Sequence, residues 1–239
     1  MNISFYQNGK YLQNNPDWHI ADSAWKLSHA LKALQHTPYP DFNRLLDAGC
    51  GAGEVIKLWA GEEPSKIFKG WEISPQAYEM CLQNPLPNVS FCQERPSENF
   101  DIVLILDVLE HLEDWKTFLK DCSRQAKKII IHIPLDLSLY ARLRPSILEN
   151  ERLTVGHIHF FTEKSFLKEI KQMGFEILHK HYTNKYLEKE PPLTRWISKI
   201  GMLIRKTAHL LLPTKWTAYL IGGYSLMLVI RPKSEELSL

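Results

Sequence analysis

The sequence lacks three features that mark common functional classes. Its four cysteines lie far apart and include no C-x-x-C pair, which argues against a zinc site or a disulfide framework: Cys50, Cys81, Cys92 and Cys122. No uninterrupted apolar run approaches the ~18 residues of a membrane span. The charge is nearly balanced, with 29 basic and 27 acidic residues, so no strong field attracts a polyanion and nucleic acid is not expected as a partner.

Targeting and repeat signals are also missing. The first eight residues carry neither the basic segment nor the apolar run of a secretory signal, so we expect a cytoplasmic protein. No internal repeat or low-complexity tract divides the chain. Because ~100 to 200 residues per domain is usual, we expect the 239 residues to form a single domain.

The chain does contain a glycine-rich stretch directly after an apolar one. The apolar run ends at Asp47, and glycine follows at every second position, as Gly49, Gly51 and Gly53. Glycine lets the backbone adopt positive φ angles and approach a ligand closely, and a helix that opens after such a loop points free N–H groups at that ligand. The pattern therefore predicts a loop that holds a nucleotide-like cofactor.

The glycine spacing separates two classes of cofactor. Dinucleotide-binding folds use G-x-G-x-x-G, whereas this chain has G-x-G-x-G, with Glu54 or Ile56 where the third glycine would stand. The segment 47–53 instead resembles the first motif of the class I S-adenosylmethionine-dependent methyltransferases. The resemblance implies that S-adenosylmethionine is the cofactor, that the loop with Cys50 packs against its amino-acid end, and that Asp47 supports that end.

Further cofactor contacts are predicted at the ends of the next strands. Glu72 stands 19 residues after Gly53, close to the ~20-residue interval at which an acidic side chain meets ribose hydroxyls. By resemblance to the family, Glu72 binds both hydroxyls, with Ile73 beside it; otherwise Glu72 is only a solvated strand end. Many family members hold the adenine with an acidic residue after the third strand. Here that loop offers Gln93, unless apolar contacts or the backbone hold the adenine instead.

A second motif follows the most apolar strand, which is predicted over residues 101–107. Residues 107–114 resemble the fourth motif of the same family, including its Glu-His pair. Asp107 falls at the carboxyl end of a central strand, where open α/β sheets bind ligands, so Asp107 and Val108 are predicted to face the cofactor or the substrate. Glu110 complements a helix N-terminus, and His111 is either a catalytic or a structural histidine.

Two more histidines form a third group of candidates. His157 and His159 precede a predicted helix, in an arrangement similar to one that the family has before its penultimate strand. They lie on one face if the stretch is extended, so both are candidates to face the acceptor. A metal pair would need a third ligand, and none is spaced to supply it, so no metal site is predicted.

Alternating strands and helices predict a doubly wound α/β fold. Resemblance to the family supplies the details: a mostly parallel sheet of seven strands, with the last strand antiparallel, between two layers of helices. Within the single domain 1–239 we distinguish an N-terminal helical lid (1–40), a cofactor-binding core (43–182) and a helical insertion (188–216) before the last strand (224–230).

Three local predictions refine this division. A helix opens near Asp22 and Ser23, which are both good caps. The segment that contains this helix is either a lid over the cofactor cleft or a helix that its tryptophans pack onto the sheet. Gly61 ends the helix after the glycine loop, and residues 134–156 form a loop-rich region suited to acceptor specificity.

The helical insertion carries apolar residues at helical spacing, among them Leu193, Ile204 and Leu211, with basic residues such as Arg195 between them. A basic amphipathic helix can make peripheral membrane contact, here through 193–212, or bind a lipid-like acceptor. It can equally cap the active site or pack on the sheet. We favour the packed arrangement, because residues 210–213 (Leu-Leu-Leu-Pro) indicate burial.

The resemblance as a whole implies an enzyme that moves a methyl group from S-adenosylmethionine to an oxygen or nitrogen of a small-molecule acceptor. An oxygen acceptor needs a base near neutral pH, for which His111, His157 and His159 are the candidates. A lipid-like or protein acceptor is the alternative, although the chain has no separate recognition module. Two rivals are a catalytically silent module that only binds the cofactor and an oxidoreductase with a nicotinamide cofactor.

Overall fold

The computed structural model describes residues 9–38, 41–189 and 196–233. The described residues form one seven-stranded sheet in the order β3-β2-β1-β4-β5-β7-β6, with helices on both faces. The strands are β1 (Arg44–Ala48), β2 (Ile67–Trp71), β3 (Val89–Cys92), β4 (Phe100–Leu106), β5 (Ala126–Pro134), β6 (Phe175–Thr183) and β7 (Ser225–Pro232). Strands β1 to β5 pair in parallel, and β7 runs antiparallel to β5 and β6. The predicted fold is confirmed.

The helices fill the connections between the strands. They are α1 (Lys10–Asn14), α2 (Ser23–Gln35), α3 (Glu54–Glu62), α4 (Pro75–Cys81), α5 (Trp115–Ser123), α6 (Leu139–Leu143), α7 (Pro145–Thr154), α8 (Glu163–Gln172), α9 (Lys185–Glu188), α10 (Trp196–Leu211) and α11 (Thr214–Leu220). Two 3₁₀ turns, Ile20–Asp22 and Leu109–His111, lie before α2 and after β4.

The alternating side chains of the strands build one apolar cluster on each face of the sheet. Along β4, Val103 and Ile105 belong to one cluster, and Ile102 and Leu104 to the other. The second cluster also contains the apolar side of α2, which therefore packs on the sheet: Leu27, Ala30, Ala33 and Leu34. Because helices cover both faces, a ligand can reach the sheet only at its edges and strand ends.

Two local predictions are wrong. Gly61 lies inside the last turn of α3, whose cap falls at Glu63. The region 134–156 is not loop-rich, because it holds α6 and α7. Ser138 caps α6 by accepting a hydrogen bond from the Ala141 amide at 3.1 Å, and Pro145 starts α7, where proline is well tolerated.

The start of α2 lies at Ser23, as predicted, but Asp22 does not cap it with its side chain. The Asp22 carboxylate instead pairs with Lys185 at 2.5 Å and Lys189 at 3.1 Å. These two ion pairs tie the start of α2 to the segment that follows β6. They hold the pKa of Asp22 below its usual value, although burial opposes the shift.

The helical insertion folds as α10 and α11, but its predicted burial is wrong at the end of α10. The side chains of Leu210, Leu211 and Leu212 are 84%, 73% and 40% exposed. Leu193 and Arg195, like the first eight residues of the predicted lid, lie outside the described residues. Among the helices of the described ranges, none combines the length and the apolar composition that a bilayer crossing requires.

Candidate functional site

A cavity of about 370 Å³ lies at the carboxyl ends of β1, β2, β4 and β5. The sheet order changes direction between β1 and β4, and such a switch point is where open α/β sheets bind ligands. The volume falls in the ~300 to 1,000 Å³ range of small-molecule pockets. Each of the four strand ends contributes an ionisable side chain to the lining: Asp47, Glu72, Asp107 and His132.

The glycine loop crosses from β1 to α3 beside the end of β2. The amides of Gly49 and Cys50 donate hydrogen bonds to the Trp71 carbonyl oxygen at 2.7 and 3.2 Å. The next glycine amide, Gly51, donates to Oε2 of Glu72 at 2.9 Å. The loop is therefore held by the strand that also supplies the predicted ribose ligand.

Two glycines of the loop are required for different reasons. Gly49 and Gly51 have φ angles of +81° and +56°, which glycine adopts without a steric penalty. A Cβ atom on Gly49 would lie 2.8 Å from a methyl group of Val108, so this position packs against the segment after β4. A Cβ atom on Gly51 would have only the Trp18 ring within 4 Å, at 3.9 Å. Gly51 thus borders the open space of the cavity.

Asp47 and Glu72 place two carboxyl groups at this end of the cavity. Burial raises the pKa of Asp47 to about 7, although the charge of Lys26 opposes the shift. Its Oδ1 atom is buried and has no hydrogen-bond partner among the described residues. Burial raises the pKa of Glu72, although Glu72 accepts hydrogen bonds from backbone amides, including those of Ser74 at 2.7 Å and Gly51 at 2.9 Å. Both sites favour a cationic or hydrogen-bonding ligand.

Asp107 is the centre of a charged group at the ends of β4 and β5. Its φ angle is +56°, in the left-handed region that few residues other than glycine adopt. Its carboxylate contacts His132 Nδ1 at 2.5 Å and Lys26 Nζ at 2.7 Å, and His132 Nε2 lies 2.9 Å from the Thr183 hydroxyl. Burial would raise the pKa of Asp107, but His132 and Lys26 outweigh it and hold that pKa well below its usual range.

Glu110, His111 and His157 form a second cluster in the same cavity lining. Glu110 is fully buried, and neither of its carboxylate oxygens has a hydrogen-bond partner among the described residues. Its Oε1 atom lies 3.9 Å from Nε2 of each histidine. Burial raises the pKa of Glu110 to about 8, and the negative charge of Asp107 adds to the shift.

The two histidines of this cluster differ in charge. His111 Nδ1 donates to the Gly156 carbonyl at 3.2 Å, and burial lowers the pKa of His111 to about 3, so the ring is neutral. His157 Nδ1 donates to the Asp136 carboxylate at 2.8 Å. Burial opposes protonation of His157, but that hydrogen bond and the nearby acidic groups raise its pKa to about 9.

The remaining predicted site residues divide into two groups. Ile73 and Val108 line the cavity with the residues already described. Gly53, Gln93 and His159 lie outside its lining. His159 Nε2 donates to the Leu112 carbonyl at 2.9 Å, which ties two segments of the chain together. Gln93 is exposed, and its carbonyl accepts a hydrogen bond from the Trp71 indole at 3.1 Å.

The segment before α2 covers the other side of the cavity. Tyr11 and Trp18 lie side by side with ring centroids 4.6 Å apart, and both line the cavity. Trp25, on the first turn of α2, lies edge-on to the His132 ring with centroids 5.7 Å apart. The tryptophans therefore face the cavity, while the small apolar residues of α2 make the contact with the sheet.

Sequence reasoning missed several residues of the lining, notably Lys26, His132 and Asp136. His132 and Asp136 had a usable signal: both are polar residues at the carboxyl end of an apolar strand, next to the strand that ends at Asp107. Lys26 had none, because one lysine in an amphipathic helix looks like any solvated lysine. Only the packing of α2 brings it to Asp107.

Comparison with known families identifies one matching domain. Residues 18–180 match the family model described as a methyltransferase domain. No curated protein sequence matches the chain.

Solved structures with a similar fold are distant in sequence. A proposed methyltransferase from Bacillus halodurans C-125 is 17% identical, with a TM-score of 0.59 over 86% of this chain and 100% of the other. The plantazolicin methyltransferase BpumL, in complex with a monoazolic desmethylPZN analogue and S-adenosylhomocysteine, is 13% identical, with a TM-score of 0.61 over 96% of this chain and 93% of the other. The mycolic acid cyclopropane synthase CmaA1, complexed with S-adenosylhomocysteine and CTAB, is 15% identical, with a TM-score of 0.59 over 85% and 82%.

Proposed function

The chain belongs to the methyltransferase domain family, in its S-adenosylmethionine-dependent class, and from this premise we propose that it methylates an oxygen or nitrogen of a small-molecule acceptor. The cofactor lies along the glycine loop. Its proposed ligands are the residues of the lining at that end: Asp47, Gly49, Cys50, Gly51, Glu72, Ile73, Asp107 and Val108. His111 and His157 face the acceptor.

One observation carries the proposal. Among the described residues, seven buried side-chain nitrogen and oxygen atoms have no hydrogen-bond partner, and four of them line this cavity: Trp18 Nε1, Asp47 Oδ1 and both Glu110 oxygens. Such atoms destabilise a fold by ~1 to 3 kcal/mol each when nothing satisfies them. Their concentration in one cavity is explained if a polar ligand completes their hydrogen bonds.

The charges of the cavity suit S-adenosylmethionine in particular. The cofactor carries a positive charge on its amino group and another on its sulfonium, and Asp47 offers a buried carboxyl oxygen without a partner at the glycine loop. Glu72, at the end of the strand that pairs with β1, is the proposed ligand of the ribose hydroxyls. The dinucleotide alternative has no comparable support, because its third glycine is missing.

The reaction requires alignment more than activation. A lone pair of the acceptor attacks the methyl carbon, the C–S bond breaks with its electrons staying on sulfur, and S-adenosylhomocysteine leaves. A hydroxyl acceptor also loses its proton, which leaves to solvent. Correct positioning accounts for up to ~7 to 11 kcal/mol of such a barrier. The aromatic cover formed by Tyr11, Trp18 and Trp25 supports a small acceptor, because it restricts access from the N-terminal side.

The proposal is tested by measuring release of S-adenosylhomocysteine from the purified protein with a panel of hydroxyl and amine acceptors. Turnover on a small molecule supports it. Binding of S-adenosylmethionine without turnover on any acceptor would favour the silent module instead. Calorimetry with S-adenosylmethionine and NAD in parallel separates the oxidoreductase, which would bind NAD more tightly.

A further inference from the structure

We infer that Glu110, His111 and His157 bind one divalent transition-metal ion, such as Mn²⁺, at the acceptor end of the cavity. Each residue offers one ligand atom, and the three atoms lie within 4.8 Å of one another. Around a bound ion at ~2.0 to 2.2 Å from each ligand, neighbouring ligand atoms are about 3 to 3.4 Å apart. The 3.9 Å separations from Glu110 Oε1 to the two histidine nitrogens therefore shrink by about 0.5 to 0.9 Å on binding, and the widest separation in the cluster, at most 4.8 Å, shrinks by up to about 1.8 Å.

The buried carboxylate points to a ligand independently of the cluster itself. Glu110 is 0% exposed and lacks any hydrogen-bond partner for either oxygen within the described residues. A carboxylate in such a position normally pairs with a cation or coordinates a metal. The His157 ring lies 3.9 Å from Oε1 of Glu110, close enough for an ion pair but too far for a hydrogen bond, and it releases its Nε2 proton when a metal ion binds.

Both histidines are already oriented as metal ligands. His111 donates Nδ1–H to the Gly156 carbonyl and His157 donates Nδ1–H to Asp136, so Nε2 of each ring is directed towards Glu110. A second hydrogen bond of this kind, from histidine to a carboxylate or a carbonyl, is typical of metal-ligating histidines. The segments are also locked together, because the amides of Ile158 and His159 donate to the Glu110 carbonyl at 2.9 and 3.0 Å.

Two histidines and one carboxylate leave coordination positions open on the cavity side, which suits an ion that also binds an oxygen ligand. A bound ion would hold an acceptor hydroxyl and lower its pKa, so that its proton leaves to solvent before the methyl group arrives. This role towards the acceptor rests on the proposed function, whereas metal binding does not. Sequence reasoning missed the site because it paired His157 with His159 instead of with His111.

The experiment titrates the full chain with MnCl₂, followed by calorimetry and by the EPR signal of free Mn²⁺. We expect one ion per chain, and a loss of affinity of about tenfold or more in each of Glu110→Gln, His111→Ala and His157→Ala. His36→Ala serves as the matched control and keeps the stoichiometry, because His36 stacks on His179 with ring centroids 4.8 Å apart and lies outside the cavity lining. Circular dichroism and S-adenosylmethionine binding verify that each variant is folded.

The possible failures are distinguishable. If Mn²⁺ does not bind, or if its affinity is the same in all three variants, the metal site is wrong even where S-adenosylmethionine binds and methyl transfer proceeds. If one ion binds and the three variants lose it but no acceptor is methylated, the metal site stands and the proposed function fails.

A different observation carries a second proposal: we propose that α10 and α11 bind the surface of an anionic lipid bilayer. α10 turns an apolar side towards solvent: Leu203, Ile204, Leu210 and Leu211 recur at helical spacing and are 56% to 84% exposed. The opposite side of α10 faces the protein, where Met202 is buried and His209 contacts the Tyr224 hydroxyl at 2.8 Å. α11 adds Trp216 and Tyr219, which are 57% and 42% exposed.

The positive charge of α10 and α11 favours an anionic lipid surface as the partner of this exposed face. Residues 201–220 contain no acidic residue, and two basic side chains among them are exposed, Lys206 and Lys215, whereas Arg205 turns towards the protein and stacks over the Tyr186 ring. Basic residues beside an exposed apolar and aromatic surface are typical of helices that lie in the interface of anionic membranes. A second copy of the same face would bring like charges together, which disfavours a symmetric dimer through it.

Flotation of the full chain with phosphatidylcholine vesicles, with and without phosphatidylglycerol, tests this proposal. We expect binding only to the anionic vesicles, weakening as salt rises, and about tenfold weaker binding for Leu210→Glu. Leu82→Glu is the matched control, since Leu82 is 54% exposed but lies on α4's end, outside this face. Binding that Leu210→Glu does not weaken, or a dimer that this substitution dissociates, would overturn the proposal.

Discussion

The ion pair between Lys26 and Asp107 holds the start of α2 at the ends of β4 and β5. Its N–O distance is 2.7 Å, and the side chains are 16% and 29% exposed. The chain offers a matched pair at the same distance: Lys127 and Asp101 are also 2.7 Å apart, but Lys127 is 80% exposed. The two lysines therefore differ mainly in how far they are removed from water.

Replacement of either lysine by methionine should separate the two environments. Lys26→Met leaves Asp107 largely buried with His132 as a remaining partner, which costs about 2 to 4 kcal/mol of unfolding free energy, below the range for a buried charge left unpaired. In a domain of this size the melting temperature then falls by about 4 to 16 °C. Lys127→Met removes a solvent-exposed lysine and costs about 0 to 1 kcal/mol. Asp101 is only 20% exposed, but it still accepts two backbone hydrogen bonds, from Asn43 and Arg44.

The measurement is urea unfolding of both variants at neutral pH, at low and at high salt. The cost of Lys127→Met should shrink in high salt, whereas that of Lys26→Met should not. Asp107→Asn completes a double-mutant cycle with Lys26→Met, since asparagine also tolerates the positive φ angle. We expect a coupling free energy of about 1 to 3 kcal/mol between the two substitutions. Equal costs for the two lysine substitutions would refute the claim that burial makes the Lys26 pair important.

Three further predictions concern the cofactor end of the cavity. Gly51→Val should abolish S-adenosylmethionine binding in calorimetry while the far-ultraviolet circular dichroism spectrum stays native. Gly61→Ala, inside α3, is the control that keeps binding. Unchanged affinity in Gly51→Val would show that the glycine loop does not bind the cofactor. Folding raises the pKa of Asp47 from 3.8 to about 7. Between these pH values the carboxyl group ionises in the unfolded chain but not in the folded one, so the stability of the fold should fall as the pH rises. Affinity for the cationic cofactor should rise through pH 7, because Asp47 then becomes negatively charged in the folded protein. Asp47→Asn should flatten both pH profiles, and a profile that survives this substitution belongs to another group. Gly49→Ala should destabilise the fold by about 1 to 3 kcal/mol. Adding Val108→Ala to this variant should recover part of the lost stability in thermal melts, because the Cβ added at position 49 would lie 2.8 Å from Val108. No recovery would mean that the positive φ angle alone causes the destabilisation.

The family and the arrangement of the glycine loop could be predicted because their signals are local. Asp47, the glycines after it and Glu72 follow two strands that are consecutive in sequence and adjacent in the sheet. An α/β alternation places the ends of such strands at one edge, so the meeting of Gly51 with Glu72 follows from chain order. Asp107 was predictable for the same reason, since β4 is the most apolar strand and pairs with β1.

The contacts around Glu110 could not be predicted in this way. His111 and Gly156, which share a hydrogen bond, lie 45 residues apart, and α6 and α7 separate β5 from the segment that contains His157. Sequence reasoning treated that region as a loop and therefore could not place His157 beside Glu110. The predicted burial of the apolar residues at the end of α10 was wrong for a different reason. Helical periodicity shows that one side of a helix is apolar, but not which side faces the protein.

The sequence by itself determined the fold class, the family and the glycine loop, because periodicity, glycine spacing and strand order act over a few residues. Tertiary structure alone decided which side chains meet across long stretches of chain. It brings Lys26 onto Asp107, closes Glu110 between two histidines and turns the leucines of α10 outward. The physical reason is that these contacts depend on how each helix is rotated and docked against the sheet, and that rotation is set by the packing of the whole core.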